Sequence, residues 1–197
     1  MRAVKAVLAS GNDGKVREFA ALLATRDIEV IPQTRFGIVT PEETGSTFLD
    51  NALLKARHAA AASGLPALAD DSGIEVDALQ GRPGVRSARY AGEQASDADN
   101  VNLLLSELAD VPDQGRSARY RCVLVLVRDP ADPDPLIASG VWEGRVLRTP
   151  RGAGGFGYDP VFQPAGLAIS AAELPAARKN QLSHRAQALR ALLAALK

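Results

Sequence analysis

Cysteine, histidine, lysine and aromatic residues are all scarce in this 197-residue sequence. The lone Cys122 rules out an intramolecular disulfide. It lies in the apolar run Tyr120 to Val127 and reads as a small buried hydrophobe. Formal net charge is +0, so there is no broad basic footprint for nucleic acid or an anionic membrane. No apolar stretch approaches the ~20 residues of a membrane span. No charged-then-apolar leader opens the sequence, so a reducing cytoplasm is the expected compartment. Only five lysines (Lys5, Lys15, Lys55, Lys179 and Lys197) stand against 18 arginines. Three of the five fall inside the polar motifs described below. Lysine is a compact point charge with mobile donors, suited to phosphate oxygens.

What is present is ordinary globular material, 46% hydrophobic and 23% charged. The length predicts one domain, residues 1–197, with two lobes. Val4 to Ala9 reads as a strand, Lys15 to Ala24 as an amphipathic helix and Ile28 to Ile31 as a second strand. A strong helix is expected over Ser46 to Ala62, closed by Gly64 and Pro66. Leu65 to Ala69 reads as a strand whose C-terminal end leads into Asp70-Asp71-Ser72-Gly73, and Ile74 to Leu79 resumes extended structure. Ser96 to Leu108 is a helix with Ser96 as its cap. Arg119 to Arg128 and Ile137 to Val146 form a hairpin across a turn-rich connection. Ser170 to Glu173 fits a capping box. The last helix starts near Ser183 and carries a stripe of Leu189, Leu192, Leu193 and Leu196. Early alternation followed by a hairpin predicts an α/β fold, a mixed sheet with helices on its faces.

Five motifs carry chemistry. Ser10-Gly11-Asn12-Asp13-Gly14-Lys15 is a strand-to-helix turn whose amides and helix end suit a phosphate. It lacks the spacing of a Walker A loop. Asp70-Asp71 places two carboxylates side by side, costly unless a cation is near. Such oxygens suit Mg2+ and proton abstraction from water. Glu42-Glu43 precedes the helix bearing Asn51 and Lys55, and either glutamate could add a metal oxygen. Gly152-Ala153-Gly154-Gly155-Phe156-Gly157 matches a dinucleotide fingerprint in form only, because no strand precedes it and no helix follows. A loop that lays Phe156 flat against a planar base fits better. Finally, Lys179, His184 and Arg185 gather cations at the start of the last helix. There they oppose the helix dipole unless an electronegative ligand is bound.

In order, these segments resemble the inosine triphosphate pyrophosphatase family. The similarity runs through Ser10-Gly11-Asn12, Lys15 and Glu18, then Glu43-Thr44-Gly45, Thr47-Phe48, Asn51-Ala52 and Lys55-Ala56. It continues through Ala69-Asp70-Asp71-Ser72-Gly73-Ile74-Glu75-Val76, Gly81, Pro83-Gly84 and Ser87-Ala88-Arg89-Tyr90. It closes with Gly154 to Pro160 and Ser183-His184-Arg185. Asp50 departs from it, standing where a glutamate is expected. The resemblance implies an elongated two-lobed fold with a nucleotide cleft, a homodimer, and hydrolysis of dITP, ITP and XTP to monophosphate and pyrophosphate with Mg2+. It implies that Ser10, Gly11, Asn12, Asp13, Gly14, Lys15 and Lys55 hold the triphosphate. Asp71 would be proton acceptor and metal ligand, with Glu42 favoured over Glu43 as the second metal carboxylate. Ser72, Phe156, Gly157, Tyr158, Asp159, Lys179, His184 and Arg185 would complete the substrate site. A non-catalytic nucleotide sensor and an NTPase releasing orthophosphate are the competing readings.

Overall fold

The computed structural model describes residues 4–23 and 28–196. Six strands form one mixed sheet in the order β2-β1-β3-β4-β5-β6. They are β1 (Val4–Leu8), β2 (Ile28–Pro32), β3 (Ala67–Val76), β4 (Ser117–Val127), β5 (Leu136–Val146) and β6 (Phe162–Pro164). The first two pair in parallel, as do β1 and β3, whereas β5 and β6 pair antiparallel. Among the described residues, five α-helices accompany them: α1 (Asp13–Leu23), α2 (Phe48–Ser63), α3 (Asp97–Glu107), α4 (Ala176–Leu182) and α5 (His184–Ala195). None of the described helices is long and apolar enough to cross a membrane.

The chain divides into two compact units. One comprises Met1–Asp71, Cys122–Gly140 and Arg185–Lys197; the other comprises Ser72–Arg121 and Val141–His184. Strands β3, β4 and β5 contribute residues to both.

In the first unit the strands sort their side chains with period two. Val7, Ala9, Ala67, Ala69, Val125 and Val127 pack with Ala52, Ala56, Ala59 and Ala60 of α2. The alternate residues Leu8, Leu68, Cys122 and Leu124 pack with Phe19 and Leu23 of α1 and Leu189 and Leu192 of α5. Small residues on α2 and on the strand face below it are complementary, because alanine on both sides permits close approach. The second unit has its own core, in which Ile74, Val76, Tyr120, Trp142 and Phe162 meet Val101 and Leu104 of α3 and Leu108 at its C-cap.

Several boundaries differ from the sequence expectation, each for a local reason. Helix α2 is capped by Thr47 in a capping box with Asp50, so it starts two residues later than Ser46. The shorter carboxylate at Asp50 still accepts the Thr47 N–H, at 3.2 Å. The expected C-terminus of α1 at Ala24 lies outside the described residues. Leu196 ends the last helical stripe 41% exposed rather than buried. Ser96 caps α3 as expected, and Ser170 and Glu173 form the expected capping box.

The main correction concerns Asp70-Asp71-Ser72-Gly73. The strand does not end at these residues; they lie inside the continuous ten-residue strand β3. Gly73 is there for space rather than for a bend. A Cβ at that position would sit 2.3 Å from Gly84 O and 2.4 Å from Ser87 Oγ. Ser87 Oγ accepts the Ile74 N–H at 2.9 Å and donates to Gly84 O at 2.6 Å, locking the 84–89 turn against the strand. Gly73→Ala therefore overpacks this contact and should cost roughly 1–3 kcal/mol, read as a lower urea midpoint at unchanged m-value.

Candidate active site

Adjacent residues on a strand face opposite ways, and Asp70 and Asp71 use that rule. Asp70 shares the face of Leu68, beneath α1 and α5. Its Oδ2 lies 2.8 Å from Lys15 Nζ of α1 and 3.6 Å from Arg185 Nε of α5. Asp71 shares the face of Ala69, beneath α2. Its Oδ1 accepts from Lys55 Nζ at 2.8 Å and its Oδ2 from Asn51 Nδ2 at 3.2 Å. Asn51 and Lys55 are four apart on α2 and so stack on one side of the helix. Glu43 closes the cluster, its Oε1 2.6 Å from Lys55 Nζ. Glu42, the neighbour favoured from sequence, is exposed.

The two aspartates differ electrostatically because of this arrangement. Burial disfavours the Asp70 carboxylate, but Lys15, Arg185 and Lys55 outweigh it and hold its pKa well below the usual carboxylate range. For Asp71, burial is the largest influence and raises the pKa. Lys55 and Lys15 oppose that, the Glu43 charge adds to it, and the net direction is upward. Burial also works against the Lys55 ammonium, yet Asp71, Asp70 and Glu43 together keep its pKa above the ordinary value. Asp70 is thus a fixed anion, and Asp71 is the more basic carboxylate.

The Ser10–Lys15 turn is built as a strand-to-helix connection. Asn12 caps α1, its Oδ1 accepting the Lys15 N–H at 3.0 Å, and Ser10 Oγ accepts the Asn12 N–H at 3.2 Å. Gly11 passes close to Thr40, leaving little room for a side chain. The Asp13 side chain lies outside the described residues.

In the second unit a separate cluster forms around Asp159. Its Oδ2 accepts from Lys179 Nζ at 2.6 Å and from the Phe156 N–H at 2.9 Å. Lys179 Nζ also sits 4.8 Å from the centre of the half-buried Phe156 ring. Tyr158 donates its hydroxyl to Ser87 O at 2.8 Å. Tyr120, absent from the sequence-derived set, stacks on the His184 ring at 4.6 Å with an interplanar angle of 6°. Its only sequence signal is an inward position in the alternating pattern of β4. Ser72 is partly buried on β3. The Gly152–Asp159 loop leads into a single 3-10 turn, Asp159–Val161, so the rejection of a dinucleotide fingerprint holds.

The last cationic motif is divided differently from the sequence expectation. Lys179 lies in the last turn of the separate helix α4, where the dipole favours a cation. Only His184 and Arg185 open α5. Arg185 there is neutralised within the protein by Glu18, 2.9 Å away, as well as by Asp70.

Buried Lys55 and partly buried Lys15, set against adjacent carboxylates beneath a strand-to-helix turn, form an enzyme-like charged cluster. The chain belongs to the Ham1 family, whose model matches residues 6–195. It is 58% identical to the dITP/XTP pyrophosphatase of Methylococcus capsulatus over 98% of this chain and 96% of that protein. It is 55% identical to the dITP/XTP pyrophosphatase of Vibrio cholerae, over 98% of this chain and 96% of that one. Among solved structures it resembles a HAM1 protein from Coxiella burnetii, with TM-score 0.90, 50% identity and 98% of both chains covered.

Substitution should separate the two aspartates. Asp70→Asn removes the anion facing partly buried Lys15, leaves Arg185 with Glu18 alone, and should cost about 3 kcal/mol at neutral pH, the low end of the range for breaking a buried pair. Because its folded pKa is depressed, that contribution exists above pH 3.8 and fades as pH falls further. The gap between wild type and variant, measured by urea denaturation, should therefore narrow in acid. Asp71→Asn removes a carboxylate whose charged form the fold disfavours, and should leave neutral-pH stability equal to or above wild type.

Proposed function

We propose that this protein hydrolyses the non-standard purine nucleoside triphosphates dITP, XTP and ITP to monophosphate and pyrophosphate, cleansing the nucleotide pool. The observation that carries the reading is the asymmetric aspartate pair: one carboxylate neutralised as scaffold, the other kept basic beside a lysine. The activity of the family relatives agrees with it.

Ser10 to Gly14, Lys15 and Lys55 hold the triphosphate, with backbone donors and two ammonium groups whose charges carboxylates already balance. Mg2+ is the expected cofactor, and the donors fit it. Carboxylate oxygens from Glu43 and Asp71 converge on one cationic point, and Mg2+ uses one or two carboxylates with waters and phosphates. When bound, it offsets negative charge that develops on the phosphates. Asp71 is one ligand. The second would come from the Glu42-Glu43 pair, with Glu42, the exposed member, as the proposed ligand.

Asp71 accepts a proton from the attacking water, whose oxygen bonds to the α-phosphorus while the bond from that phosphorus to the bridging oxygen breaks. Pyrophosphate carries away the electron pair. Lys55 and Asn51 orient the Asp71 carboxylate, and its remaining lone pairs stay available to the water. Phe156 offers a ring face to the base, with Lys179 and Asp159 behind it. Tyr158 and Ser72 complete the contacts. Arg185, aided by His184, donates to the 6-oxo group of hypoxanthine or xanthine; adenine, with an amino group there, leaves a donor unmatched at about 1–3 kcal/mol. The active form is a homodimer of the cytoplasm.

Product identity tests the reaction. With Mg2+, dITP and XTP should yield monophosphate and pyrophosphate, and dGTP and ATP little of either. Diphosphate and orthophosphate would make the protein a γ-phosphatase, and metal-dependent binding without turnover a sensor. Asp71→Asn should lower kcat at least a hundredfold, in the range expected for loss of a general base. Arg185→Ala should erode the ITP-to-ATP preference by about tenfold or more; an unchanged ratio refutes its role.

A further inference from the structure

We infer that Asp97, the first residue of α3, is a positioning residue for the Gly152–Asp159 loop and thereby for the base of the substrate. The inference rests on the reading of Phe156 as the base platform. Gly157 donates its N–H to Asp97 Oδ2 at 2.6 Å, short enough for a charge-assisted bond. The helix does not need Asp97 for its own cap. Ser96 and Asp99 form a complete capping box, with Ser96 N–H to Asp99 Oδ2 at 2.9 Å and Asp99 N–H to Ser96 Oγ at 3.2 Å. The Asp97 carboxylate is thereby left to the loop.

The loop needs such a tie. Gly152, Gly155 and Gly157 all have positive φ, at 77°, 74° and 61°, and glycine backbone has little conformational preference of its own. The loop's shape is set by specific hydrogen bonds, two of them to residues outside it. Gly154 N–H donates to Ala172 O at 3.1 Å, Phe156 N–H to Asp159 Oδ2, and Gly157 N–H to Asp97. Phe156 therefore sits between its own amide and the next, each held by a carboxylate. A cavity of about 290 Å3, lined in part by Asp97, Val101, Pro150, Phe156 and Pro160, lies alongside. Without the Asp97 bond the segment has room to relax into that cavity and draw the ring away from Lys179.

Loss of this bond lowers the population of the binding-competent loop. Apparent affinity falls by that fraction, while the chemical step at Asp71, whose contacts do not involve Asp97, does not change. Asp97→Ala should raise KM for Mg-dITP about tenfold with kcat within about twofold, and weaken dIMP binding by calorimetry to a similar degree. Asp97→Asn, which keeps an acceptor oxygen but no charge, should fall between wild type and alanine. Ser96→Ala, which weakens the cap of the same helix, should lower Tm without the rise in KM. An unchanged KM and dIMP affinity in Asp97→Ala overturns the inference, and so does an equal KM rise in Ser96→Ala. If the wild type binds dIMP but releases no pyrophosphate from dITP, the reaction assignment fails while the calorimetric comparison still decides the role of Asp97.

Discussion

Two carboxylates buried at adjacent positions of one strand set the terms for the first unit. An uncompensated buried carboxylate is expensive, so each must meet cations delivered by the layer it faces. Alternation sends Asp70 towards α1 and α5 and Asp71 towards α2. Lys15 and Arg185 answer the first; Lys55 and Asn51 answer the second. Helix placement, strand register and charge balance are therefore one problem. A one-residue slip of β3 would exchange the faces and leave both carboxylates opposite the wrong partners.

The same division explains how adjacent, chemically identical residues acquire different work. Asp70 is surrounded by cations and is fixed as an anion. Asp71 keeps a higher proton affinity chiefly because it is buried, and the nearby Glu43 charge adds to the effect. Pushing apart the proton affinities of neighbouring acids is a general way to obtain distinct roles from one residue type. In the second unit Asp159 acts more like Asp70, since it neutralises Lys179 while shaping the backbone at Phe156.

Sequence patterns located most of these parts. Alternating and helical periodicities identified β1, β4, β5, α2 and α3, and the scarcity of lysine drew attention to Lys15, Lys55 and Lys179, all of which pair with acids in the structure. The order of motifs pointed to the family, and the match over residues 6–195 agrees. Less legible were contacts made across long sequence separations. Tyr120 on His184, Glu18 on Arg185 and Ser87 against Gly73 join residues that no local pattern relates.

The amino-acid sequence by itself determined the class of fold, the family, and which polar residues are too costly to be incidental. Local periodicity and residue chemistry suffice for that. Only the tertiary structure decided that Asp70 to Gly73 is a strand interior rather than a strand end. Aspartate and glycine have low intrinsic strand preference; cations packed on both faces and the close approach of Ser87 override it. The structure also placed Lys179 at a favourable helix C-terminus and gave two neighbouring aspartates different partners and opposite shifts in proton affinity. Those outcomes depend on which side chains meet in space, and electrostatic energy follows distance and burial rather than position along the chain.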